Sequence, residues 1–183
     1  QAGDVTGLAA AAQAEWMTPE AFARSVAAGR TILLKNAKRD YTPCAIGEGA
    51  KVKINVNIGT SGQRCDPAME MEKAAAAIAN GADAIMDLST GGDLAAMRRE
   101  ILKLAIPVGT VPIYEAVRRA GNVIDLTADL LFKVIREQAE QGVDFMTLHC
   151  GVNLEVVEAL RLDPRVMGVV SRGGSFHTAM MLA

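Results

Sequence analysis

The sequence predicts an α/β fold, read as a (βα)8 TIM barrel of which about the first five βα units are present. Three observations carry this reading. Five short runs are apolar almost without interruption, as expected of strands buried on both faces: KVKINVNI (51–58), DAIMDLS (83–89), VGTVPIY (108–114), VDFMTLHC (143–150) and VMGVVSRG (166–173). Helix-forming segments alternate with them, which implies a parallel sheet with right-handed crossovers. Every run ends in residues that can hydrogen-bond.

The elements follow in order. PEAFARSVAAG (19–29) has Thr18 as N-cap, Pro19 at the first helical position and Gly29 past the end. MEMEKAAAAIAN (69–80) is rich in strong helix formers and stops at Asn80-Gly81. DLAAMRREILKL (93–104) sets Leu94, Met97, Ile101 and Leu104 on one face behind an Asp93 cap. TADLLFKVIREQAEQG (127–142) runs from a Thr127 cap to Gly142, and NLEVVEALRLDP (153–164) stops at Pro164. The terminal FHTAMMLA reads as the start of another helix. ANGADAIMDLS echoes EQGVDFMTLHC, and the spacing of Gly81 and Gly142 fits repeats of about 30 residues, the size of a βα unit. Residues 1–50 form an N-terminal helical or irregular segment, and 51–183 the partial barrel.

The strand tips favour the barrel over an open sheet. An open doubly wound sheet gathers its ligand at one switch point, so only a few tips need chemistry. A barrel turns all its tips towards one site. Here Asn55 and Asn57, Asp87, Tyr114, His149, then Ser171 and Arg172 decorate every run. A whole barrel needs about 250 residues, so the chain reads as the first five-eighths of one. A five-stranded flavodoxin-like sheet stays open as the rival.

Bulk properties narrow the function. The chain has 183 residues and a net charge of −2, which argues against a nucleic-acid partner or an anionic membrane held by bulk charge. No apolar run reaches membrane-spanning length, and the first residues lack a signal-peptide pattern. Cys44, Cys65 and Cys150 are far apart and read as reduced thiols of a cytoplasmic protein.

Several residues could carry chemistry. In VVSRGGS (169–175), two glycines would let backbone N–H groups approach an anion that Arg172 clamps; a tight turn with an exposed arginine is the alternative. STGGD (89–93) could bind an anion or simply cap a helix. Asp87, near the end of a buried strand, must be paired or bonded. His149 could be an acid–base, a ligand donor, a metal ligand or only a hydrogen-bonded side chain. Tyr114 could pack or bind. Asn55 and Asn57 alternate, so two amides share a face. The residues by themselves support an α/β barrel that binds a phosphate-like ligand, and they assign no catalytic residue.

Taken as a set, NVNIGTS (55–61), GADAIMDLSTGGD (81–93), PVGTVPIYEAV (107–117), AEQGVDFMTLHCGV (139–152) and VVSRGGS resemble the core of the phosphomethylpyrimidine synthase (ThiC) family of radical S-adenosylmethionine enzymes. The resemblance runs from about residue 18 to residue 183. It implies a (βα)8 barrel and a lyase that rearranges 5-aminoimidazole ribotide to 4-amino-5-hydroxymethyl-2-methylpyrimidine phosphate in thiamin biosynthesis. It implies a 4Fe–4S cluster, S-adenosylmethionine, an electron donor, an accessory zinc or iron, and a homodimer. The positions matching the family's substrate contacts are Asn57, Met86, Tyr114, His149, Ser171, Arg172 and Gly173. Met86 would touch the ligand, with Asp87 an anchor behind it. The family's Cys-x-x-Cys-x4-Cys motif, its metal-ligand histidines and its Asp-Gly-Leu-Arg stretch do not occur here, so no metal ligand is expected within this chain. Three departures stand out: Val56 where the family usually has Ala, the stretch LKNAKRDYTPCAIG (34–47), and Cys150 in place of a common Ala. A related branch, 5-hydroxybenzimidazole synthase, uses the same ribotide for the lower ligand of cobamides. A non-catalytic phosphate-ligand binding module is the alternative of another class.

Overall fold

The computed structural model describes residues 5–183. Helices α1 (Val5–Ala14) and α2 (Pro19–Ala27) lead into an antiparallel hairpin of β1 (Thr31–Leu34) and β2 (Cys44–Gly47). Phe22, Ala11, Ala12 and Ala45 close a small core between them. The hairpin is absent from the sequence reading of residues 1–50. Its strands are four residues each, and no two-residue turn marks the connection between them.

The remainder alternates strands and helices. The order is β3 (Asn55–Ile58), α3 (Pro67–Ala79), β4 (Ala84–Asp87), α4 (Leu94–Ile101) and β5 (Val108–Thr110). Then come α5 (Pro112–Ala120), a 3₁₀ turn (Val123–Asp125), α6 (Ala128–Gln141), β6 (Phe145–Met146), α7 (Leu154–Leu162) and α8 (Arg172–Leu182). The caps behave as their chemistry demands. Thr18, Asp93 and Thr127 accept from the third amide ahead, and Gly142 closes α6 in the left-handed conformation at φ 110°.

The four strands form one parallel sheet in the order β3-β4-β5-β6. Strand order equals chain order, so the switch of order that a flavodoxin-like sheet requires does not occur among the described residues. Alternation along each strand separates two faces. Val56, Ile58, Ile85 and Val108 look towards α3 and α4, where they meet Ala74, Met97 and Ile101. Asn57 and Met86 are register partners and share the other face. Gly109 lies beside Phe145, and a Cβ on Gly109 would overlap that ring.

Three sequence expectations need correction. Strand β5 ends at Thr110, and Tyr114 stands in the first turn of α5 rather than at a strand tip. Pro112 explains this: it offers no N–H to a ladder and its fixed φ suits the first helical position. Strand β6 is two residues long because β5 gives it no further partner; Thr147 N–H makes the last bond, to the Thr110 carbonyl at 2.9 Å. The run 166–173 forms no strand. Val166 and Val170 are exposed, and the chain enters α8 at Arg172. An apolar run becomes a strand only where a ladder partner exists, and none lies beside this one among the described residues.

Candidate functional site

A cavity of about 420 Å³ opens at the C-terminal ends of β3 and β4. Asn57, Tyr114 and Arg172 all line it, so three residues far apart in sequence meet there. The loops that follow the strands form its floor. Thr90 N–H donates to the Thr60 carbonyl at 2.7 Å, and Thr60 Oγ1 donates to the Gly91 carbonyl at 2.7 Å. Gly91 must be glycine, because a Cβ there would overlap the Ser61 carbonyl. Thr90 and Gly91 of the STGGD turn spend their amides on the neighbouring loop, Ser89 spends its amide on Asp87, and Asp93 Oδ1 caps α4 through the Ala96 N–H at 2.9 Å. The turn has the bonding of a capped helix start.

The other predicted residues cluster around this cavity. Met86 sits beside Asn57 in register, and its sulfur accepts from Thr147 Oγ1 at 3.8 Å. The Arg172 guanidinium stacks on the Tyr114 ring at 5.2 Å, and Phe176 meets that ring edge-on at 6.2 Å. Ser171 caps α8 through the Gly174 N–H at 3.2 Å, and its Oγ also lies 2.9 Å from His149 Nε2. Gly173 is buried against the His149 ring so closely that a Cβ would overlap it. His149 Nδ1 is buried with no partner among the described residues. The seven residues thus form one patch, built by β3, β4, the start of α5, the loop after β6 and the start of α8.

Arg172 is the first residue of an eleven-residue helix capped by Ser171. Two elements favourable to an anion therefore coincide at the cavity, a helix N-terminus and a guanidinium. The site faces solvent at Asn57, Ser171 and Arg172, so a ligand can reach it. Asn55 Nδ2 donates to Asn57 Oδ1 at 3.2 Å and fixes which way that amide points. Asn55 itself does not reach the cavity wall.

Asp87 faces the helices rather than the cavity. Burial raises its pKa, against the hydrogen bonds it accepts from Ser89. Its Oδ1 takes the Ser89 N–H at 2.9 Å and shapes the turn after β4. Beside it lies a polar core that the sequence does not announce. Glu115 Oε2 accepts from Arg98 Nη1 and from Gln138 Nε2, both at 2.7 Å, and Gln138 Oε1 accepts from Thr110 Oγ1 at 2.6 Å. Burial pushes the Glu115 carboxyl up, but the bonds from Arg98 and Gln138 outweigh it and the pKa ends below the usual range. This network pins α5, and with it Tyr114, to α4 and α6. Lys73 is a further cavity-lining residue that sequence reasoning passed over, since one lysine on a helix of strong formers carries no signal.

The segment 34–47 lies at the other end of the sheet. Arg39 pairs with Asp144 and donates to the Ile106 carbonyl at 3.0 Å. Asp144 also accepts from the Asn36 N–H and Tyr41 Oη at 2.7 Å, and from the Val108 N–H at 2.8 Å. These are the entrances of β5 and β6. Of the other departures, Val56 packs on the core with the α3–α4 layer, and Cys150 is exposed.

Comparison with known proteins shows the family. The model of the Radical SAM ThiC family matches residues 2–183. A curated phosphomethylpyrimidine synthase of Methanococcus maripaludis (strain C5) is 50% identical over 176 residues, covering 93% of this chain and 41% of that protein. Phosphomethylpyrimidine synthase 1 of Methanosarcina mazei is 52% identical over 174 residues, 94% of this chain and 41% of that protein. A namesake in Thermodesulfovibrio yellowstonii is 48% identical over 169 residues, 90% of this chain and 40% of its own length. The chain thus spans about two-fifths of the curated relatives it matches.

Proposed function

The chain belongs to the radical SAM ThiC family, and from that premise we propose that it is the ribotide-binding part of a phosphomethylpyrimidine synthase. In this reading it holds 5-aminoimidazole ribotide while a lyase reaction converts it to 4-amino-5-hydroxymethyl-2-methylpyrimidine phosphate in thiamin biosynthesis. The observation that carries the reading is the convergence of Asn57, Tyr114 and Arg172 on one cavity, with Met86 beside Asn57 in register and Ser171, Gly173 and His149 packed together at the start of α8, which carries Arg172.

Each residue has a task that its chemistry suits. Arg172 and the amides at the start of α8 take the phosphate. Asn57, oriented by Asn55, offers an amide to the ribose or the imidazole. Tyr114 supplies an aromatic wall whose position is set by the polar core beneath α5. Met86 gives a polarizable apolar contact. His149 holds Ser171 through Nε2 and packs on Gly173, and so sets the start of α8 and the position of Arg172.

The described residues do not fit an iron–sulfur cluster. Cys44, Cys65 and Cys150 are free thiols, and no group of three His, Cys, Asp or Glu side chains among the described residues could hold a metal ion. The work assigned to this chain is binding and orientation of the ribotide. The cluster, S-adenosylmethionine and an accessory zinc or iron are then held by residues that are not among these 183, in a cytoplasmic homodimer fed by a separate electron donor. No described helix is long and apolar enough to cross a membrane. The monotonic strand order supports the partial (βα)8 barrel, because right-handed crossovers in that order place successive helices on one face.

Two of the three departures support the pyrimidine product over 5-hydroxybenzimidazole. Val56 faces the helical layer and the 34–47 segment clasps the far end of the sheet, so neither touches the cavity, while Cys150 lies beside His149 on the wall of a neighbouring apolar pocket. The test is a product mass. The full protein carrying this chain, its cluster rebuilt without oxygen, is incubated with S-adenosylmethionine, reductant and the ribotide. A phosphorylated pyrimidine is expected. A hydroxybenzimidazole would move the protein to the cobamide branch, and unchanged ribotide would leave only a binding module. The 183 residues alone should not cleave S-adenosylmethionine.

A further inference from the structure

The cavity holds a second cation. Lys73, in the middle of α3, lines it together with Arg172. Its Nζ lies 2.7 Å from Glu70 Oε1, and its side chain is 52% exposed, so the ammonium stays within reach of a ligand. Glu70 is different: only 7% of its side chain is exposed. A carboxylate so buried needs partners. It has two, Lys73 and the Gly59 N–H, which donates to Oε2 at 2.7 Å. Gly59 follows β3 directly at φ 150°, and a Cβ there would stand 2.5 Å from the Ser89 nitrogen. That backbone is fixed, and Glu70 joins it to the lysine.

An ordinary i, i+3 pair on a helix surface contributes little and requires neither a buried carboxylate nor a tie to a neighbouring loop. Glu70 instead fastens Lys73 to the loop after β3, whose residues Gly59, Thr60 and Ser61 form part of the cavity wall. The arrangement is that of a cation held in place over a site. A phosphate monoester carries up to two negative charges near neutral pH. Arg172 matches it as a planar fork and Lys73 as a compact point charge.

We propose that Lys73 is a second binding residue for the anionic group of the ligand, and that Glu70 is the positioning residue that holds its ammonium over the cavity. The identity of the anion as the ribotide phosphate rests on the reading given under Proposed function. Calorimetric titration of the full protein carrying this chain separates the two. The ligands are the ribotide, its dephosphorylated riboside and ribose 5-phosphate. Lys73→Ala should weaken the ribotide about tenfold, the low end for a charged hydrogen bond, and leave the riboside unchanged. Lys73→Arg should recover most of the loss. Glu70→Gln keeps an acceptor for the Gly59 N–H but loses the charge that holds Lys73, and should weaken the ribotide about threefold, a fraction of that same bond. Melting curves of each variant check the fold.

Equal ribotide affinity in Lys73→Ala and the parent would overturn the assignment of Lys73 and leave the ribotide reading standing. Equal weakening of ribotide and riboside would also overturn it, since Lys73 would then act on shape alone. If ribose 5-phosphate binds as well as the ribotide, and Lys73→Ala loses both, the ribotide reading fails while the two-cation site survives. A full parent protein that binds none of the three overturns both.

Discussion

Glu115 offers a decisive perturbation, because it stands between the fold and the site. Its side chain is 8% exposed and that of Arg98 is 2%. Replacement by Ala would leave the Arg98 charge inside the protein with one remaining bond, from Nε to Gln141 Oε1 at 2.6 Å. It would also strip Gln138 Nε2 of its acceptor and leave Arg119, which bonds Glu115 Oε1 at 2.7 Å, with Glu137 as its one acidic partner among the described residues. Breaking a buried pair on one side costs about 3–5 kcal/mol. The residual Gln141 bond places Glu115→Ala near the lower end, about 3 kcal/mol. Against a total stability of about 5–15 kcal/mol that is a large fraction. Urea unfolding at neutral pH, followed by circular dichroism, reads it as a lowered midpoint at constant slope. The double variant Arg98→Met with Glu115→Leu removes both charges and should recover most of the loss, giving a coupling energy well above that of an exposed pair. A loss below about 1 kcal/mol, the range of surface pairs, would refute the buried network. The pH dependence is fixed in sign. Glu115 titrates below its unfolded value, so its contribution is present above about pH 4.3 and is lost as the pH falls further. Asp87, raised by burial, acts oppositely: its contribution is present below about pH 3.9 and is lost as the pH rises through its folded pKa.

Other perturbations probe separate parts. Gly173→Ala drives a Cβ into the His149 ring and should break the 2.9 Å contact with Ser171; ribotide affinity falls about tenfold, roughly the worth of one strong hydrogen bond, at unchanged helix content. Asp144→Ala leaves Arg39, 7% exposed, without its partner. It should cost about 3–5 kcal/mol and speed amide exchange in residues 36–41, and unaltered exchange there would refute the clasp. Burial and the neighbouring His149 hold the His177 pKa below its ordinary value. Its contribution is present above about pH 6.5 and is lost as the pH falls, so the difference in urea midpoint between the parent and His177→Phe should narrow below that pH. A difference that does not change with pH would show His177 to be solvated.

Local chemistry made much of the fold legible. Thr18, Asp93 and Thr127 cap helices because a short polar side chain before a helical run has few other places to send its oxygen. The strands ending at Ile58 and Asp87 were readable because their apolar runs are framed by such caps and by glycines. Other features rest on partners distant in sequence. Arg39 meets Asp144, 105 residues away, and no local pattern marks either as half of a pair. The run 166–173 has the composition of a strand yet lacks a neighbour to bond. Tyr114 was placed one element too early because Pro112 ends the strand two residues before it. Asn57, Tyr114, His149 and Arg172 were identifiable as candidates by resemblance and by their positions near segment ends. Lys73 was not, since only folding shows that its turn of α3 overlooks the cavity.

The two ends of the sheet divide the labour, and this bears on how the site works. At the strand entrances Asp144 gathers three hydrogen bonds and the Arg39 ion pair, with its side chain fully buried. The acceptor capacity of that carboxylate is taken up within the fold. At the strand exits several polar groups keep capacity in reserve: the half-exposed Lys73 ammonium and the solvent-facing Asn57 and Arg172. Groups whose bonds are already complete stabilise a fold, and groups whose bonds are incomplete are those a ligand can complete. The rigid end allows the open end to hold cations and amides apart without collapse. On this view a substitution at the entrances lowers stability and leaves selectivity alone, whereas one at an exposed cavity residue of the exits changes affinity at nearly constant stability. The contrast between Asp144→Ala and Lys73→Ala measures that division directly.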